Sequence, residues 1–133
     1  MDMKSWKVLL VDDEDEFVQT LAERLELRGI ATTVANDGEA GLRAVAENKP
    51  HIVVLDVMMP GLKGVDVLRR IKEIDPRIQV ILLTGQGTTR DGIDGMRFGA
   101  FDYMMKPINI DALIEKMAEA INSTLDGQSR QGN

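Results

Sequence analysis

The sequence predicts an α/β protein, a parallel sheet covered by helices on both faces, and three observations carry that expectation. Ile52, Val53, Val54 and Leu55 form an unbroken apolar run rich in β-branched residues, which cannot alternate between core and water and so belongs to a strand buried on both faces. Two further runs, Val8 to Val11 and Val80 to Leu83, have the same character. Between such runs the apolar residues fall at helical spacing, and strands alternating with helices at this spacing make βαβ units.

The elements follow in order. Lys7 to Val11 is the first strand. After Asp13, Glu14, Asp15 and Glu16, the spacing of Phe17, Leu21 and Leu25, with Val18 and Ala22 beside them, predicts a helix that Gly29 closes. Ala31 to Ala35 is a short second strand, and Asn36 or Asp37 can cap a helix carrying Ala40, Leu42, Ala44 and Val45. Pro50 precedes the third strand, which ends on Asp56. A loop with Pro60, Gly61 and Gly64 leads into a helix whose Val65, Leu68 and Ile71 face one way and which Asp75 and Pro76 stop. The fourth strand, Val80 to Leu83, ends on Thr84. The helix expected over 88–98 is weak, because Gly92 and Gly95 each cost about 1 kcal/mol relative to alanine. Phe101 to Met105 is the fifth strand, with Lys106 and Pro107 at its end. The last helix spans about residues 110–125 with Leu113, Ile114, Met117 and Ile121 on one stripe, and residues 126–133, polar and without period, read as a flexible tail or the start of a linker.

The totals narrow the function. A chain of 133 residues makes one domain, residues 1–125, with room for a real core. The absence of cysteine excludes disulfides and thiolate metal sites. A formal charge of -6 argues against direct binding of nucleic acid. No apolar run approaches a membrane span, so a cytoplasmic protein with no membrane partner is expected.

In an open α/β sheet the functional crevice lies outside the carboxyl ends of the strands, where the winding direction reverses. Asp12 and Asp13, Asp56, Thr84 and Lys106 all stand at such ends. Three crowded carboxylates repel and require positive charge, from the Lys106 ammonium or a hard cation. Oxygen donors without His or Cys suit Mg2+, with Mn2+ possible, and such an ion leaves positions open to phosphoryl oxygens. Phosphoryl chemistry follows: Asp56 is the candidate nucleophile, Thr84 a hydroxyl donor and Lys106 a point charge. Each residue alone has a plainer explanation, since acids favour helix N-termini and a strand-end threonine is commonplace. The repetition of acids at separate strand ends is what shifts the balance. His51 lies at the wrong end for the crevice and is assigned a structural or surface role.

Four blocks in order, Val11-Asp12-Asp13-Glu14, Leu55-Asp56-Val57-Met58-Met59-Pro60, Leu83-Thr84-Gly85 and Tyr103-Met104-Met105-Lys106-Pro107, resemble the signature of the response-regulator receiver domain of two-component signalling. The resemblance implies a single (βα)5 flavodoxin-like doubly wound domain with strand order 2-1-3-4-5. It implies phosphotransfer onto Asp56 from a sensor histidine kinase or a phosphotransfer protein, and magnesium held by Asp13, Asp56 and the backbone carbonyl of Met58, with Asp12 acting through water. By the same resemblance Thr84 and Tyr103 form a switch pair, the Lys106-Pro107 bond is cis, and the fourth helix, fifth strand and fifth helix control an unknown output domain or effector, with a homodimer among the options. Such a domain is a phosphoacceptor and not an enzyme in its own right. Gly85 departs from the small alanine usual in the family. Met58 and Gln86 fill two variable positions that, by resemblance, tune loss of the phosphoryl group, and an apolar Met58 implies slow self-hydrolysis. Two other functions compete: an interaction module that needs no phosphorylation, and a magnesium phosphohydrolase with an aspartyl nucleophile. The second is weakened because Met58 stands where those enzymes carry a general acid.

Overall fold

The computed structural model describes residues 2–85 and 89–131, with the backbone alone at 89, 91–92 and 125–131. A 3-10 turn at Met3–Ser5 leads into β1 (Lys7–Val11), α1 (Asp15–Leu27), β2 (Ala31–Ala35), α2 (Gly38–Asn48), β3 (Ile52–Asp56), α3 (Gly64–Ile74), β4 (Gln79–Thr84), α4 (Thr89–Arg97), β5 (Asp102–Met105) and α5 (Ile110–Gln131). The strands are parallel and lie side by side as β2-β1-β3-β4-β5, the order the resemblance implied.

Alternate strand residues point to opposite faces, and the core divides accordingly. Val8, Leu10, Ile52, Val54, Ile81 and Leu83 pack with α1 and α5 on one face. Leu9, Val11, Val53, Leu55, Val80 and Leu82 pack with α2 and α3 on the other. β3 is buried along its whole length because it lies centrally between both layers. Each fully buried aliphatic side chain contributes about 1.5–3 kcal/mol of transfer free energy, so the central strands anchor the domain.

The local signals act largely as their chemistry requires. Gly29 takes φ +82°, and the amides of Gly29 and Ile30 donate to the carbonyls of Glu26 and Leu25, closing α1 with paired C-terminal hydrogen bonds. Asp37, rather than Asn36, caps α2, its carboxylate accepting from the Ala40 amide at 2.8 Å. In α3 the buried stripe is Val67, Leu68 and Ile71, with Val65 only half-buried. The expected register was therefore off at Val65, because the close approach of Gly64 to Val57 sets how the helix starts.

One expectation requires correction at the C-terminal end. α5 continues to Gln131, past the end expected near residue 125 and through most of the stretch read as a flexible tail. An apolar stripe in the sequence records burial, whereas the hydrogen-bonded ladder of a helix can propagate past it at small cost per residue. The packed part is held by Leu113, Met117, Ala120 and Ile121, by Gln79 donating to the Thr124 hydroxyl at 2.7 Å, and by an Arg28–Asp111 ion pair to α1.

His51, at the entrance to β3, has the structural role expected of it. Its Nδ1 accepts the Lys7 amide hydrogen at 2.9 Å, which requires that nitrogen to be unprotonated. Burial, reinforced by the Lys7 charge, lowers its pKa below the usual histidine value of 6.5. The contribution of His51 to stability is thus present above pH 6.5 and is lost as pH falls through 6.5 toward the lower folded value. Urea midpoints measured from pH 7.5 to 5.5 are expected to fall more steeply for the wild type than for His51→Gln. Parallel slopes would remove the basis for this assignment.

Candidate functional site

Every chemically informative residue of the sequence reading arrives at one rim. β1 delivers Asp12 and Asp13, β3 ends on Asp56, β4 on Thr84, and β5 leads directly into Lys106. The chain passes from β1 to β2 on one side, and β3 to β5 lie on the other, so the acids flank the point where the winding reverses.

The three aspartates converge. One carboxylate oxygen from each of Asp12, Asp13 and Asp56 lies within 4.8 Å of the others. Asp12 and Asp56 are buried, at 1% and 2% exposure, while Asp13 faces solvent. Two backbone amides hold the buried pair: Glu14 N–H donates to Asp12 Oδ1 at 2.9 Å, and Met58 N–H donates to Asp56 Oδ1 at 3.0 Å. Each carboxylate therefore has Oδ1 tied to its own loop, and Oδ2 turned toward Lys106.

The Lys106 ammonium lies 2.9 Å from Asp12 Oδ2, 2.7 Å from Glu14 Oε1 and 3.6 Å from Asp56 Oδ2. It also stands 4.3 Å from the centre of the Phe17 ring, a favourable placement for a cation over a π face. Burial acts to lower the lysine pKa, but the contacts with Glu14, Asp12 and Asp56 outweigh it and hold the ammonium above its ordinary 10.5. Burial pushes the Asp12 carboxyl in the costly direction, above its ordinary 3.8, and the charge of Asp56 adds to this against the Glu14 amide and Lys106. Asp12 Oδ2 has no aligned hydrogen-bond donor among the described residues, so the ion pair alone compensates it.

Thr84 is fully buried, and its hydroxyl donates to the Met104 carbonyl at 3.4 Å, a long contact that leaves it turned toward β5. The register pairs Leu82 with Tyr103 and Thr84 with Met105, which puts Thr84 and Tyr103 on the same face of the sheet. Tyr103 is half-buried there against the second core cluster. The Lys106-Pro107 bond is cis, and the Lys106 amide donates to the Thr84 carbonyl at 2.8 Å. Met58 is 59% exposed beside a cavity of about 510 Å3 lined by the β3–α3 loop and the start of α3. Gln86 lies outside the described residues.

Two residues in contact with Lys106 escaped the sequence reading as members of the site. In the sequence, Glu14 reads as a helix-start acid and Phe17 as a core residue of the following helix. The signal available was their place directly after the paired aspartates, one and four residues beyond Asp13. A third, Gly64, matters sterically: a Cβ there would stand 2.6 Å from Val57 Cα, so only glycine lets α3 start against the residue that follows Asp56.

An all-oxygen donor set with a buried, poorly compensated carboxylate oxygen fits a hard divalent cation, which Asp12, Asp13 and Asp56 would hold. Comparison with known families agrees with the fold. The family model for the response regulator receiver domain matches residues 8–118. The chain belongs to the response regulator receiver family. Among curated proteins, this receiver is 39% identical over 119 residues to the uncharacterized transcriptional regulatory protein YkoG of Bacillus subtilis, covering 90% of this chain and 52% of that one. It is 34% identical over 126 residues to the DNA-binding response regulator MtrA of Mycolicibacterium smegmatis, covering 95% of this chain and 55% of that one. The receiver thus spans about half the length of these relatives. Among solved structures, a response regulator receiver domain protein from Clostridium thermocellum superposes with a TM-score of 0.85 at 38% identity, over 89% of this chain and 95% of that one. The receiver domain of NtrX from Brucella abortus gives 0.82 at 32% identity, over 86% and 98%. No helix among the described residues is long and apolar enough to cross a membrane.

Proposed function

We propose that this receiver accepts a phosphoryl group on Asp56 from a phosphohistidine of a sensor kinase or phosphotransfer protein, in a magnesium-dependent step, and passes the change to an output partner. The observation that carries the proposal is the placement of Asp56 Oδ2. Asp56 brings one carboxylate oxygen within 4.8 Å of those of Asp12 and Asp13, its Oδ2 lies 3.6 Å from a lysine ammonium, and its Oδ1 is held by the Met58 amide. An oxygen so fixed is oriented for attack and has a positive group to receive the charge it brings in.

In the step itself Asp56 Oδ2 forms a bond to phosphorus as the P–N bond of the donor breaks, and the imidazole nitrogen keeps the electron pair. Asp12, Asp13, Asp56 and the Met58 carbonyl would hold magnesium, which would supply positive charge to the phosphoryl oxygens. Lys106 supplies an ammonium to one of those oxygens, and the Thr84 hydroxyl, once it leaves the Met104 carbonyl, can donate to another. Rotation of Thr84 vacates space on the face where Tyr103 lies, which is how the state of Asp56 reaches α4 and β5. Ile93 and Met96 of α4 and Met105 of β5 are exposed, at 51%, 42% and 47%. That apolar surface is where an output domain, an effector or a second copy would bind. The regulatory names of the half-matched relatives support control of transcription as the downstream role. The exposed, apolar Met58 cannot orient a water by hydrogen bonding, and a long-lived acyl phosphate follows from that. The protein acts on itself and is not an enzyme toward other substrates.

Incubation with MgCl2 and a small-molecule phosphodonor, read by intact mass and by released phosphate, tests the proposal. The expected result is one stable adduct, absent without magnesium and absent in Asp56→Asn. Continuous phosphate release would favour a phosphohydrolase, and no adduct at all would favour an interaction module.

A further inference from the structure

We propose that Glu14 is a positioning residue: it draws the Lys106 ammonium toward α1 and away from Asp56, and so keeps the three aspartates open to a divalent cation. This rests on the cation-dependent reading of the site given above. The ammonium has three carboxylate neighbours, and its shortest contact is Glu14 Oε1 at 2.7 Å, against 2.9 Å to Asp12 Oδ2 and 3.6 Å to Asp56 Oδ2. Phe17, also carried by the start of α1, puts its ring 4.3 Å from the same ammonium. Together they make a seat on one side of the cluster.

The seat matters because Lys106 and a divalent cation are rivals. Both are drawn to the oxygens of Asp12 and Asp56, and an ammonium lodged between them would satisfy the charge that attracts the ion. Asp12 cannot hold the lysine off Asp56 by itself, since its own carboxylate belongs to the cluster that the cation needs. Glu14 is outside that cluster, and its side chain is 60% exposed. It offers the ammonium an acceptor that the cation does not use. A favourable helix N-terminus would explain an acid at this position, but not the contact it makes across to Lys106.

Backbone amide chemical shifts of Asp13 and of Val57 to Met59, titrated with MgCl2, read cation binding without any phosphodonor. Glu14→Gln is expected to weaken Mg2+ binding about three- to fivefold, the range of a partly exposed ion pair, with the unfolding midpoint showing that the variant is folded. Glu16→Gln removes an exposed charge from the same turn and sets the baseline for charge loss alone. In a Lys106→Met background, Glu14→Gln is expected to have no more effect than that baseline, because the two residues act as a pair. An unchanged affinity in Glu14→Gln, or the same loss with and without Lys106, overturns the positioning role while leaving the phosphoacceptor reading intact. A wild type that binds no Mg2+ at the cluster overturns both.

Discussion

Asp12→Asn is expected to make the free protein more stable, by about 1–3 kcal/mol in magnesium-free buffer at neutral pH, although it breaks an ion pair. Asp12 is 1% exposed, carries its charge next to Asp56, and among the described residues has Lys106 as the sole compensation for Oδ2. Its carboxyl pKa is raised in the folded state, chiefly by burial. An acid with a raised folded pKa contributes stability that is fully present below its unfolded value near 3.8 and is lost as pH rises through the folded value. At neutral pH, above the unfolded value, the fold bears that cost, and asparagine, close in shape and uncharged, removes it while Lys106 keeps Glu14. Urea unfolding at pH 7 and again near pH 4 checks both the sign and the pH trend, since the advantage should shrink as the wild-type carboxyl takes up its proton. MgCl2 should narrow it too, by stabilising the wild type through binding to the folded state. A variant less stable than wild type without magnesium would mean that the cluster is well compensated on its own.

Gly95→Ala is expected to destabilise the domain by about 1–2 kcal/mol, against the usual rule for a helical glycine. Helix propensity favours alanine by about 1 kcal/mol. Packing opposes it more strongly, because a Cβ at this position would stand 2.0 Å from Leu82 Cδ1, and Leu82 is fully buried. Overpacking of a filled core costs about 1–3 kcal/mol before the propensity gain is counted, and more where neighbours cannot yield. Relief of the clash requires the buried Leu82 side chain to shift or α4 to lift from β4. Denaturant midpoints of the two single variants and of Gly95→Ala in a Leu82→Ala background form the test. The alanine should be tolerated far better once Leu82 has been shortened, and a plain gain in stability from Gly95→Ala would refute the packing argument.

Gly95 also shows where the sequence stops being readable. In one dimension it looks like a helix-weakening residue, and only the neighbouring strand reveals that a side chain would not fit. The sheet was legible for the opposite reason: strands buried on both faces can be written only as unbroken apolar runs, so β1, β3 and β4 stand out, and their polar ends mark one rim. The acids, Thr84 and Lys106 could be placed from that rule without coordinates. Glu14 could not, because its meaning depends on Lys106, a residue remote in sequence, arriving within 2.7 Å. Val67 was missed on α3 because the start of that helix is set by Gly64 against Val57, a contact invisible to periodicity. α5 outlasts its apolar stripe because a stripe records burial and not hydrogen bonding.

The lone tryptophan, Trp6, precedes β1 and is 3% exposed within the cluster formed by α1 and α5. The acids leave the sheet at the other end of that strand, a separation of roughly 20 Å at about 3.3 Å per residue. Its indole is thus a built-in optical gauge of whether the core is assembled, and one with no line of sight to ion or phosphoryl chemistry. Emission from this residue would follow loss of the fold while staying silent through events at Asp56, which separates the two in a single cuvette.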